Sequence, residues 1–314
     1  MKQLILELCN TFDYPADATE TLCRACDTIY ANRQAFLLMG ENIRLLRENT
    51  FRKYAEELER LNQAAKLTGV HPYTVHLLFY ILYAPIAQEQ YLAQGVPLNL
   101  WHDSMLDLKW KLLETKQVYG IWGVHCGDWF RPFFTLDRFA LGRLQFEVIP
   151  SLIDCENGAH TVKRGDPVIN VHIPSSGPLL YEDVLDAYKQ AVCFFEKKFT
   201  GPAIPFQCET WLLYPRVNRL LPEGNMKRFT ADYDVRMAGI DPRQDDRWRV
   251  FHVPNTTPIV EYEEQTNLQR RLKAWLLEGN VMGIGVGCFF CENGRVLPHE
   301  PHAFVGDDTV ILQL

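Results

Sequence analysis

Two side chains able to move a proton sit in segments that read as strands. His172 lies in Val168–Ile173 (VINVHI) and shares a face with Val168 and Asn170, because side chains alternate along a strand. A neutral imidazole there could take the proton from an amine nucleophile. The alternative is a core histidine bonded to a main-chain carbonyl. Glu209 lies in Phe206–Leu213 (FQCETWLL), on one face with Gln207 and Trp211. A carboxylate beside an indole in a partly dry cleft titrates above its usual range, which suits a general base for an ammonium substrate. Its alternative is an ion pair with Arg228 or another surface cation.

Other reactive groups cluster in Trp122–Arg131, with His125, Cys126, Asp128 and Trp129, where a helical part gives way to a strand-containing one. Ligand clefts favour such junctions. A Cys/His nucleophile pair is conceivable at Cys126, as is a thiol nucleophile at Cys208, but sequence neighbours rarely face each other in catalytic geometry. Cys23-x-x-Cys26 and Cys288-x-x-Cys291 have the spacing of zinc ligands. They lie at opposite ends of the chain, the first in a helical pattern and the second where strand alternation separates the thiols, so no metal is expected and core packing is. Arg143 can either hold the sheet to the helical part or bind an acidic group; Arg131 and Arg138 are equally open.

The elements that would position these groups come in two kinds. Residues 1 to about 118 read as helices. In 51–67, Phe51, Tyr54, Leu58, Leu61 and Ala65 repeat by three and four, and Gly69 stops the run. Pro72 opens a helix to Gly95 that is apolar nearly all round, as at the centre of a bundle. Another runs from Leu98 to about Gln117. Beyond Gly120 the pattern changes. Arg143–Ile149 (RLQFEVI), Val168–Ile173, Phe206–Leu213, Met226–Val235 and Val281–Phe290 read as strands. Tyr181, Val184, Leu185, Tyr188, Val192 and Phe195 mark one helix face, and Thr266–Gln269 fits a capping box for a second helix. Glu292-Asn293-Gly294-Arg295 has hairpin chemistry. The expectation is an α+β chain: a helical bundle over 1–132, then a mixed sheet with flanking helices over 133–314.

The chain has 314 residues, enough for two cores, and 47% hydrophobic content with 12% aromatics excludes disorder. A net charge of -7 without a long basic run makes nucleic acid an unexpected partner. Leu77–Ile86, the most apolar stretch, is too short to span a bilayer, so no membrane is expected. The start, MKQLILELCNTF, has a short apolar run interrupted by Glu7 and does not read as a signal peptide. A cytoplasmic setting with the nine cysteines as reduced thiols follows as an expectation.

Gly142-Arg143-Leu144-Gln145-Phe146-Glu147, Val171-His172-Ile173-Pro174-Ser175-Ser176-Gly177-Pro178-Leu179, Cys208-Glu209-Thr210-Trp211-Leu212-Leu213 and Thr266-Asn267-Leu268-Gln269-Arg270 follow one another in an order more specific than any one of them. With the helix at 72–94, Trp122 and Trp129, they give the chain a resemblance to two-domain bacterial acyltransferase-domain proteins over nearly its whole length. In that family an N-acyltransferase N-terminal helical domain precedes a GNAT-like C-terminal domain. The resemblance implies direct transfer of an acyl group from an acyl-CoA co-substrate to a small-molecule amine. It implies that the PSSGP turn holds the cofactor pyrophosphate, with Ser175, Ser176 and the Gly177 amide as binding groups. It also implies that Tyr214 could protonate the leaving thiolate. The other reading is a non-catalytic small-molecule or peptide binding module on the same scaffold.

Overall fold

The computed structural model describes residues 2–48, 54–300 and 304–312. The chain forms two compact units, 1–139 and 140–314.

The first unit is helical: α1 (Lys2–Thr11), α2 (Ala16–Ala31), α3 (Arg33–Arg47), α4 (Tyr54–Thr68), α5 (Pro72–Ala93), α6 (Leu98–Tyr119) and the single turn α7 (Arg131–Phe134). Gly69, Gly95 and Gly120 follow α4, α5 and α6 at φ of 70–73°, a conformation glycine adopts without strain, which is why each helix stops where the periodicity runs out. The helix expected over 51–67 begins at Tyr54 in α4; Phe51 lies outside the described residues. Helix α5 packs against α1, α2, α3, α4 and α6, and it continues through Pro85 rather than breaking there. Buried Glu57 accepts from the Tyr80 hydroxyl at 2.6 Å and pairs with Arg131 at 3.1 Å, and burial raises its carboxyl above the usual range.

The second unit is a seven-stranded mixed sheet. Its strands are β1 (Arg138–Leu141), β2 (Leu144–Pro150), β5 (Pro167–His172), β6 (Ala203–Thr210), β7 (Asp234–Gly239), β8 (Ile284–Glu292) and β9 (Arg295–Val296). Order along the sheet is β1-β2-β5-β6-β8-β7, with β9 on β8; β5 and β6 are parallel, the other main pairs antiparallel. A separate hairpin, β3 (Cys155–Asn157) with β4 (His160–Val162), contributes Cys155 and Val162 to a core with Val168, Val286 and Phe290. Helix α8 (Tyr181–Phe195) lies on the other face, where Tyr188 meets the stacked rings of Phe206 and Phe289. Helices α9 (Pro215–Asn218), α10 (Asn225–Ala231), α11 (Arg247–Phe251) and α12 (Asn267–Leu277) fill the connections. The capping box is present, with the Gln269 amide donating to Thr266 Oγ1 at 3.1 Å and the Thr266 amide to Gln269 Oε1 at 2.9 Å. Asn293 and Gly294 both have positive φ, as a tight hairpin requires.

Three local expectations are corrected. Phe206–Leu213 is not one strand: the Leu212 amide bonds to the Thr210 side chain, and Trp211–Leu213 winds into a 3-10 turn. Met226–Val235 splits into α10 and the start of β7, because Met226 and Phe229 are spaced by three and Phe229 is buried from a helix. The cysteines are not all reduced thiols: Cys155 and Cys288 form a disulfide that fastens the β3–β4 hairpin to β8. Among the described residues no helix is long and apolar enough to cross a membrane.

Candidate active site

Sheet register gathers the polar residues onto one face. Gln145 pairs with His172 and Glu147 with Asn170 across β2 and β5, while Asn170 lies beside Gln207 across β5 and β6. Residues two apart share a face, so these five and Glu209 project from the same side, opposite Phe146, Val171, Phe206 and Cys208. The parallel ladder holds only Ile169 with Phe206 and Asn170 with Gln207. Beyond it, β5 continues to His172 along β2 and β6 to Thr210 along β8. Backbone pairing therefore stops before the carboxyl ends of the two parallel strands, and this unpaired stretch is an opening in the ladder, at the end where open α/β sheets hold ligands. Continued register sets His172 on one lip and Glu209 on the other. The Cys208 thiol donates to the Val171 carbonyl across the opening at 3.3 Å.

His172 is 17% exposed at its side chain, and its Nε2 lies 2.6 Å from Glu147 Oε1, with the Asn170 amide nitrogen 3.1 Å away. The ring thus has a carboxylate partner at Nε2. Donation from Nε2 to the carboxylate places the proton on that nitrogen and makes Nδ1 the basic one. Sequence reasoning missed Glu147; alternation in RLQFEVI put it on a face, but only the antiparallel register with β5 makes it the partner of His172.

Glu209 accepts from the Gln244 amide at 2.8 Å. Burial raises its carboxyl above the usual range and Asp241 adds to this, while the Gln244 hydrogen bond and Arg243 oppose it. Neither sequence-stated neighbour is in place: Trp211 has left the strand, and Arg228 pairs with Glu182 at 3.2 Å. Tyr214 is fully buried, its ring so close to Gly283 that a Cβ there would fall 2.8 Å from it. Burial pushes its hydroxyl titration up.

Ser175 and Gly177 are exposed and Ser176 half-buried in the turn after β5; Gly177 has φ of 117°, reserved in practice for glycine. Arg143 is spent on this turn: Nε donates to the Pro178 carbonyl at 2.9 Å, Nη1 to the Pro174 carbonyl at 3.0 Å and Nη2 to the Gly177 carbonyl at 2.7 Å. Arg138 instead lies over the Trp129 ring at 4.3 Å. His125 Nδ1 is 2.9 Å from the Thr115 hydroxyl. Cys208 is wholly buried and burial raises its thiol strongly, which disfavours the thiolate a nucleophile needs. Among the described residues no cluster of His, Cys, Asp and Glu could hold a metal.

Two family profiles match this chain: an N-acyltransferase N-terminal domain over residues 4–136 and a GNAT-like C-terminal domain over 139–289. The chain belongs to this two-domain acyltransferase family. No curated protein sequence matches it. Among solved structures, an acyltransferase in complex with decanoyl-CoA and teicoplanin superposes with a TM-score of 0.72 at 18% identity, covering 90% of this chain and 86% of that one. An acyltransferase mutant in complex with octanoyl-CoA gives 0.70 at the same identity and coverage. An acyltransferase complex with CoA and 10C-teicoplanin does likewise. The family fold, a helical unit followed by a GNAT-like mixed sheet, is the α+β arrangement expected from sequence.

Proposed function

We propose that this acyltransferase moves an acyl group from a coenzyme A thioester directly to an amine, at the opening between β5 and β6. The observation that carries the reading is the placement of two proton acceptors, His172 backed by Glu147 and Glu209 with a raised carboxyl, on the two lips of that opening. Structural neighbours of the same fold are complexes of CoA and acyl-CoA, which supports the cofactor class. Ser175, Ser176 and the Gly177 amide would receive the pyrophosphate, in a turn shaped by Arg143.

The amine nitrogen attacks the thioester carbonyl; the C–N bond forms and the C–S bond breaks. The nitrogen's proton passes to His172 Nδ1 or to Glu209. The departing thiolate takes a proton from Tyr214 or from water, and Tyr214→Phe lowers kcat only in the first case. No acyl-enzyme forms, in keeping with the buried Cys208.

The test titrates CoA and octanoyl-CoA calorimetrically into the protein and into Ser176→Glu, then follows thiol release with an amine acceptor for His172→Ala and Glu209→Gln. The reading expects binding that Ser176→Glu removes, and a loss in kcat of about 100-fold or more for at least one of the two base variants. Thiol release unchanged in both would overturn the base assignment. Saturable binding without thiol release from any amine would favour a binding module instead, a reading to which the acidic first turn of α8, Glu182 and Asp183, lends some support.

A further inference from the structure

A cavity of about 600 Å³ lies between the first turn of α8, the α9–α10 stretch, β7 and the chain after β9, well within the size of small-molecule sites. Leu213, Val235, Leu297 and Phe304 give it apolar walls; Tyr181, Thr230 and Asp232 bring polar groups into them. None of its lining residues is His172, Glu209 or part of the Ser175–Gly177 turn.

Asp232 is its chemical centre. The residue is 7% exposed, with Oδ1 accepting from the Tyr181 hydroxyl at 2.6 Å and Oδ2 lying 3.5 Å from the Tyr188 hydroxyl. Arg228 and His299 act on the Asp232 charge from nearby, while making contacts with other groups. Arg228 sits over the Tyr181 ring and pairs with Glu182, and both ring nitrogens of His299 face main-chain carbonyls, of Ala231 and Glu300, at 3.1 Å. Arg219, the lining's remaining cation, is exposed. Among the described residues no cation forms an ion pair with Asp232. A carboxylate in a largely apolar wall, acted on by Arg228 and His299 only through space and by no directly paired cation, is incompletely compensated, and desolvation makes an incoming cation the matching ligand.

We propose that this cavity binds a small primary amine with an apolar body, its ammonium group held by the Asp232 carboxylate and the Tyr181 oxygen, its body against Leu213, Val235, Leu297 and Phe304. The site stands on residues outside the catalytic set, so it holds or falls independently of acyl transfer.

The test measures calorimetric binding of hexylamine and of 1-hexanol to the full chain without coenzyme A. Hexylamine should bind saturably and at least tenfold more tightly than hexanol. Asp232→Asn should weaken hexylamine at least tenfold and leave hexanol unchanged, and Tyr181→Phe should weaken it several-fold. Should Asp232→Asn fail to fold, the wild-type amine-to-alcohol ratio and Tyr181→Phe still decide. Equal binding of amine and alcohol, no saturable amine binding at millimolar concentration, or amine binding indifferent to both pocket variants would overturn the proposal.

Discussion

Carboxylates held out of water set the residue-scale behaviour. Asp232 is raised from 3.8 to about 6, chiefly by burial, against the opposing Tyr181 and Tyr188 hydrogen bonds. The native chain therefore holds a proton there that the unfolded chain has already lost. The stabilising contribution is full below about pH 4 and is lost as pH rises through about 6, on the order of 3 kcal/mol across that window. Denaturant unfolding at pH 4.5 and pH 7.5 should show Asp232→Asn gaining on the wild type at the higher pH; a constant difference between the two chains would contradict the assignment. Glu209 carries a kinetic counterpart. As a base it must be ionised, and its carboxyl is raised, so kcat/KM should fall as pH drops through a value above the ordinary glutamate range. Glu209→Gln should remove that acidic limb along with most of the rate, whereas loss of rate with the limb intact would make His172 the base.

At the scale of elements, the β3–β4 hairpin is tied to the sheet in two ways. The Cys155–Cys288 disulfide joins it to β8, and Gln207 Oε1 accepts from the Leu152 amide at 2.9 Å and the Ser151 hydroxyl at 3.2 Å just before it. The disulfide closes a loop across 133 residues, so chain-entropy arguments give it roughly 2 to 5 kcal/mol. Unfolding under reductant should lose that stability, and the double variant Cys155→Ser, Cys288→Ser should reproduce the loss. Thiol titration of the denatured chain checks the bond directly: nine cysteines less the two paired leave seven reactive without reductant and nine with it. Nine reactive thiols in both cases would remove the bond from the account. The hairpin lies on the polar face that carries Asn170 and Gln207, so reduction should also raise KM for acyl-CoA more than it lowers kcat.

For the molecule as a whole, what sequence revealed depended on how local the cause was. Helix ends at Gly69 and Gly95 were legible because a glycine past an apolar repeat is a local signal, whereas the helix expected to end near Gln117 runs on to Tyr119 before Gly120. His172 and Glu209 were legible as strand positions for the same reason. Glu147 as the partner of His172, Cys155 as the partner of Cys288, and Asp232 at the cavity were not, because each depends on which strands become neighbours and in what register. The segment around Asp232 even read as a strand until the spacing of Met226 and Phe229 was paired with burial. The same dependence makes cofactor binding a test of the assembled fold. The turn at Ser175–Gly177 owes its shape to three carbonyls gathered by Arg143 from the far side of a hairpin-like pairing, so it exists only in the folded chain. A ligand that binds only the folded chain stabilises it by mass action, about 2.7 kcal/mol at a hundredfold excess over Kd. For a unit of this size that corresponds to roughly 5 to 10 °C in Tm. Octanoyl-CoA should give that rise, and Ser176→Glu should abolish it by setting a charge against the pyrophosphate. Arg143→Met should reduce it while leaving Ser176 untouched, since losing the guanidinium frees the turn to sample other shapes. An undiminished rise in both variants would place the cofactor away from this turn and leave the opening between β5 and β6 without its phosphate anchor.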